Sequence, residues 1–303
     1  MKLKIYTIYI ILFPVLFICS ILSSLAQQDP MYTQYMDNML LINPGYAGSR
    51  GMANFMAVAR NQWVTFEGAP KTQTFSFHTP LKQSKVGLGF SVLTDQIGPL
   101  RQTGIYMDYS YSLKMSEKYK LSLGVKSGFA FYRAGYTDLV TIEPDPIYSR
   151  DVFKNFLPNF GVGGFIFSEN TWFGISVPRL VENVVGREDY SSEYILKEKV
   201  HLYFTGGKMF SLNEDVKLKG HSMLKLVKNS PLSFDVTALA GFKDRFWAGA
   251  LFRVGGAWGL LAQVNATEQI LIGYSYDLSY SVLNSFNNGT HEIMVSYNMN
   301  LFN

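Results

Sequence analysis

From residue 52 onward, side chains alternate between apolar and polar with a period of two, and almost no helical period is present. Ile105, Met107, Tyr109, Tyr111 and Leu113 flank Asp108, Ser110, Ser112 and Lys114. Leu121, Leu123, Val125, Phe129 and Phe131 alternate with Ser122, Gly124, Lys126, Gly128 and Ala130, and similar runs cover 231–243 and 290–301. Successive side chains on a strand point to opposite faces, so each segment has one greasy face and one wet face. A soluble sandwich or lipocalin-like barrel would turn the greasy face inward; a transmembrane barrel turns it toward lipid and fills its lumen with polar groups. Segments 104–115, 119–132 and 290–301 are longer than the common strand of about 5–6 residues and match the roughly 9–11 needed to cross a bilayer at a tilt. Charged residues are only 17% of the chain and aromatics 15%, which suits a lipid-facing band better than a solvated surface. Glycines inside the segments (Gly87, Gly89, Gly124, Gly128, Gly249, Gly259) would weaken a soluble sheet and relieve curvature in a barrel. The expected fold is all-β, a transmembrane outer-membrane β-barrel of about 14 antiparallel strands.

The expected strands are 52–62, 71–79, 85–94, 104–115, 119–132, 158–168, 171–177, 199–210, 215–227, 231–243, 245–254, 257–265, 269–278 and 290–301. Every long connection then follows an odd-numbered strand, the asymmetry of short periplasmic turns and longer external loops. That arrangement places both termini on the periplasmic side. Ambiguous registers over 158–177 leave twelve or sixteen strands open.

The amino terminus reads as a secretory leader. Lys2 and Lys4 precede the apolar run Ile5–Leu22, and Ser23-Ser24-Leu25-Ala26 offers a cleavage site after Ala26, giving a signal peptide over 1–26. Pro14 interrupts the run, and an uncleaved anchor is the competing reading. The only cysteine, Cys19, lies in this leader, so a mature chain would have neither disulfides nor thiolate chemistry. Net charge is +4 with Lys2 and Lys4 counted, too small and dispersed to announce a nucleic-acid partner.

Residues 27–51 cannot be a lipid-facing strand, since Asn43-Pro44-Gly45 and Ala47-Gly48-Ser49 carry turn chemistry. This part is expected to be an N-terminal periplasmic or plug-like segment ahead of the barrel at 52–303. It would fill the lumen, dock on periplasmic components, or serve as a lead-in between the first and last strands. The stretch from Asp29 through Asn38 into Leu40–Ser49 resembles the N-terminal signature of the PorP/SprF family of type IX secretion proteins of Bacteroidota. Arg60-Asn61-Gln62-Trp63 with Phe66–Thr72, Val86–Phe90 through Asp95–Pro99, and Gly289–Met294 are similar to the same family, whereas 134–200 matches only loosely. The resemblance implies a non-enzymatic outer-membrane accessory component that binds the C-terminal domain of a secreted surface adhesin, helps export or anchor it, and takes part in gliding motility. It also implies contacts with periplasmic or outer-membrane secretion components and with outer-membrane lipid. The alternative is a passive or substrate-specific porin.

Candidate partner-binding or lumen residues are Tyr35, Asn43, Pro44 and Tyr46 in the N-terminal segment, and Asp108, Lys114, Lys126, Lys217, Lys219, Lys225, Asp235 and Arg253 on the polar strand face. A cationic lumen would bind acidic peptide or set anion preference; the competing reading is a salt-bridge and water network that merely fills the barrel. Ser76 and His78 share a strand face, but a catalytic triad needs convergence in space, and no Gly-x-Ser-x-Gly elbow is present. Metal-ligand spacing and nucleotide-binding glycine patterns are also absent from the sequence, so no cofactor is expected. Arg60 and Trp63 are expected near the outer rim, with Trp63 as an interfacial residue.

Overall fold

The computed structural model describes residues 30–81, 85–138, 150–185, 197–280 and 285–301. The leader assigned to 1–26 and the terminal Phe302 lie outside the described residues. Fourteen strands form one closed antiparallel barrel. They are β1 (Ala53–Asn61), β2 (Lys71–Pro80), β3 (Val86–Ile97), β4 (Leu100–Lys114), β5 (Lys120–Ala134), β6 (Val152–Phe167) and β7 (Thr171–Val177), followed by β8 (His201–Ser211), β9 (Val216–Val227), β10 (Ser233–Phe242), β11 (Phe246–Arg253), β12 (Ala257–Asn265), β13 (Ile270–Ser279) and β14 (Thr290–Met299). Each strand pairs with its sequence neighbours, and β1 closes on β14 from Ala53↔Met299 to Asn61↔His291. Closure removes every free sheet edge, which a spanning sheet in hydrocarbon requires.

The alternation is inverted relative to a soluble protein. Met107, Leu123, Leu260 and Ile293 project outward and are more than half exposed, whereas Asp108, Ser122, Asp235 and Glu292 point inward and are buried. Short turns connect each even strand to the next odd one, and the long connections 62–70, 135–151 and 178–200 follow odd strands. Two connections depart from expectation. Residues 95–103 are not a loop: β3 and β4 stay paired to Ile97↔Leu100 and turn through Gly98 and Pro99 alone, with Gly98 at φ 55°. The polar residues there read as loop chemistry but remain strand, because Asp95 accepts a hydrogen bond from Thr72 on β2. β6 likewise begins at Val152 rather than 158, pairing with β5 through a register shift between Ala130 and Tyr132. A bulge breaks strict alternation, which is why periodicity missed the start of β6.

Residues 30–51 lie inside the barrel. Two short 3-10 turns, Met39–Leu41 and Pro44–Tyr46, give this segment a compact path, and Thr33, Leu40 and Asn43 have no solvent exposure. Its apolar side chains meet inward residues of the wall: Tyr35, Met36 and Ile42 pack with Tyr203, Met223 and Leu251. The segment runs the length of the lumen. Thr33 contacts Asp277 and Glu292 near the loop end of β13 and β14, and Gly48 contacts His78 near the turn end of β2. The ends of the wall, Ala53 and Met299, are therefore at the turn end, while Pro30 is at the loop end. The expected periplasmic start of the segment, at residue 27, lies outside the described residues; within them, the chain crosses the lumen from Pro30 to Gly51 before entering β1.

Candidate functional site

The described contacts between segment and wall form three groups, each built from inward-facing positions of several strands. Arg60 of β1 lies at the loop end, at the inward parity of Asn54, and is buried. Its Nη2 is 2.8 Å from Asp277 Oδ2 and its Nη1 is 3.0 Å from Glu292 Oε2. The same Nη1 donates to Thr33 Oγ1 at 2.8 Å. Glu292 in turn accepts the backbone N–H groups of Thr33 at 2.9 Å and Gln34 at 2.8 Å. The arrangement stabilises two carboxylates in a buried place and uses one of them to receive segment backbone that would otherwise be unpaired.

Beside it, Arg253 of β11 holds Asp235 of β10 through Nε at 3.0 Å and Nη2 at 2.8 Å, and its Nη2 also donates to Tyr32 O at 3.2 Å. These two strands face each other at Asp235↔Arg253, so the pair is set by register. Bidentate guanidinium–carboxylate geometry is the strong form of such a bond.

Midway, Asp37 on the segment meets Lys219 of β9 at 3.0 Å and accepts from Gln263 of β12 at 2.8 Å. Burial alone would raise the Asp37 pKa, but the charges of Lys219 and Arg50 and the hydrogen bond from Gln263 outweigh it and hold the carboxyl below its usual range. Lys126 of β5 pairs with Asp108 of β4 at 2.8 Å and donates to Leu40 O at 3.2 Å. Ser76 donates to Asn38 Oδ1 at 2.8 Å, and nearer the turn end His78 Nδ1 accepts from Gly48 N–H at 3.2 Å. Ser76 and His78 are thus bound to the segment and not to each other as a nucleophile and base.

At the turn end, Asn43 donates to Gly164 O at 2.9 Å and accepts the N–H of Gly45 at 2.9 Å, while Ser110 donates to Ala47 O at 2.8 Å. Pro44 opens the turn that places Tyr46 edge-on to His78 and Phe165. Glycines of the wall make room for this path. A Cβ on Gly87 would lie 2.2 Å from Ala47 O, and one on Gly124 would lie 2.3 Å from Pro44 C. These two glycines accommodate the segment's backbone, a reason distinct from the curvature expected of them.

A sequence profile decides what kind of barrel this is. The profile described as "Type IX secretion system membrane protein PorP/SprF" matches residues 24–297. The chain belongs to the PorP/SprF family. It is a membrane protein of the type IX secretion system, and as a closed spanning barrel it resides in the outer membrane. Comparison with curated proteins found no significant match. Among solved structures, this PorP/SprF barrel is similar to the outer membrane protein Omp33 of Acinetobacter baumannii, at 8% identity and TM-score 0.48 over 82% of this chain and 98% of that one. It is also similar to the NanC porin, at 9% identity and TM-score 0.44 over 82% and 100% of the two chains. The CymD monoaromatic hydrocarbon channel shows 9% identity and TM-score 0.45 over 90% and 94%.

Of the residues singled out from sequence, Asp108 with Lys126, Asp235 with Arg253, and Lys219 converge on the internal segment that carries Tyr35, Asn43, Pro44 and Tyr46. Lys225 is buried and, with Met223 and Tyr203, lines a cavity between the wall and the internal segment. Lys114 and Lys217 do not join this group. They sit at the turn end, paired with Glu117 at 2.8 Å and Asp244 at 2.6 Å. The cluster missed from sequence is Arg60 with Asp277. Its signal in a PorP/SprF sequence is parity, since an arginine at an inward position demands a carboxylate from a neighbouring strand.

Proposed function

We propose that this PorP/SprF protein is a non-enzymatic accessory of type IX secretion that binds the C-terminal domain of a secreted surface adhesin and helps export or anchor it, including adhesins used in gliding. One observation carries the reading: the lumen is crossed by the chain's own residues 30–51, and the inward charges Arg60, Lys126, Lys219 and Arg253 are engaged with that segment or with wall carboxylates beside it. These four cations, which would line a conducting pore, are committed internally. This favours the accessory role over the passive or substrate-specific porin, because a porin's selectivity comes from lumen groups that face water. What remains for partners is the loop end on one side and the turn end on the other. No residue here is assigned to catalysis.

The test is co-purification from the native outer membrane followed by mass spectrometry. A large adhesin, or its C-terminal domain, recovered with the barrel in stoichiometric amount is the expected result. Recovery of lipid and lipopolysaccharide alone would remove the adhesin reading.

A further inference from the structure

Below the point where the internal segment leaves the lumen, at Gly48–Gly51, a vestibule of about 670 Å³ opens at the turn end between the residues before β3, the β4–β5 turn and Phe167 at the end of β6. Its charge is predominantly positive. Lys85, Lys114, Lys118 and Lys120 line it, and Glu117 is the one carboxylate among its described lining residues. Lys114 and Lys120 are direct register partners across β4 and β5, at the same inward parity as Ser110 and Ser122. Like charges placed directly opposite each other on an antiparallel pair destabilise it. A rim selected only for solubility would intersperse the signs, as it does elsewhere on the same end, where Lys217 meets Asp244. Glu117 relieves Lys114 at 2.8 Å; among the described residues no ion pair joins Lys85, Lys118 or Lys120 to a carboxylate.

We propose that this vestibule docks an acidic, extended polypeptide segment of a periplasmic partner. The turn end of an outer-membrane barrel faces the periplasm, so the occupant comes from that compartment. Concavity and parity favour a polypeptide over lipid headgroups: Lys114 and Lys120 stand at the inward parity of Ser110 and Ser122, while Leu113, at the opposite parity, borders the vestibule at its edge. Partner carboxylates would remove the Lys114–Lys120 repulsion on binding, and the association would weaken with salt. The proposal uses the outer-membrane placement but not the adhesin reading, so a preparation free of adhesin tests it separately.

The experiment uses the full-length barrel in neutral detergent and a fluorescein-labelled peptide of alternating Asp and Gly, followed by anisotropy. Saturable binding is expected at low salt, weakening about tenfold or more when salt is raised to about 0.5 M. The triple variants K85E/K118E/K120E and K85Q/K118Q/K120Q are expected to lose about tenfold or more in affinity. K243E, an exposed lysine at another turn, makes a control expected to stay within about twofold. Heat-modifiable gel mobility confirms that each variant is folded. Absent saturable binding at low salt, or equal affinity in the folded triple variants, overturns the proposal. So does a competition in which mixed micelles of anionic phospholipid displace the peptide from the wild-type barrel with the same lysine dependence, because the occupant would then be lipid.

Discussion

Lys219 of the barrel wall and Asp37 of the internal segment lie 3.0 Å apart, Nζ to Oδ1, joining residues 182 positions apart in the chain. Asp37 is on the segment and not on a wall strand, and its carboxyl is held below the ordinary range although burial works in the opposite direction. A carboxyl with a depressed folded-state pKa stabilises above its unfolded value, near 3.9, and that contribution is lost as pH falls through the folded value. The segment is therefore expected to stay seated at neutral pH and to loosen below about pH 4. Limited proteolysis of the purified barrel across pH, using an acid-active protease, checks this. The D37N variant should show the loosened pattern at neutral pH and lose the acid step.

Replacing Arg60 with Ala leaves Asp277 and Glu292 buried without their guanidinium. Removing one member of a buried charge set costs about 3–5 kcal/mol, and here it also disorders the receptor for the Thr33 and Gln34 N–H groups. A clear fall in the temperature of the heat-modifiable gel shift is expected for R60A. R60K should recover only part of it, because an ammonium cannot span both carboxylates as the planar fork does.

Gly124 tests the segment without touching its own residues. A Cβ there meets Pro44 backbone at 2.3 Å, so G124V must displace the turn at Pro44–Tyr46, at a cost of about 1–3 kcal/mol. Planar-bilayer recordings should give quiet traces for the intact protein, larger and more frequent currents for G124V, and stable open channels when residues 30–50 are deleted. Stable open currents from the intact barrel would instead support the porin reading.

The direction of the segment is open to chemical labelling. The only native cysteine is Cys19, so single cysteines can be read without background. A membrane-impermeant maleimide applied to whole cells should label M31C at the loop end and leave S49C at the turn end unlabelled until the outer membrane is permeabilised. The reverse pattern would invert the path of residues 30–51.

The wall was legible because its physical cause is local. Side chains alternate on a strand by geometry alone, and lipid outside with polar groups inside translates that geometry into a sequence period. The connections were readable for the same reason, apart from the β3–β4 turn, where polar residues sit in a hairpin that extends beyond the expected strand ends, and the β5–β6 connection, where a bulge hid the start of β6. The Asp235–Arg253 and Asp108–Lys126 pairs fell on the right face, yet their partnership depended on register, which a one-residue slip would have destroyed.

Sequence by itself determined an inside-out β-barrel with family features at both ends, since period, length and low charge are properties of short stretches. Tertiary structure alone decided where residues 30–51 go. Their burial comes from wall residues on more than half the strands, contributed from positions up to 259 residues away, and no local pattern encodes a contact whose two halves meet only when the cylinder closes. The same closure joined Arg60 to Asp277 and Glu292 and gathered lysines of the turn end around the vestibule.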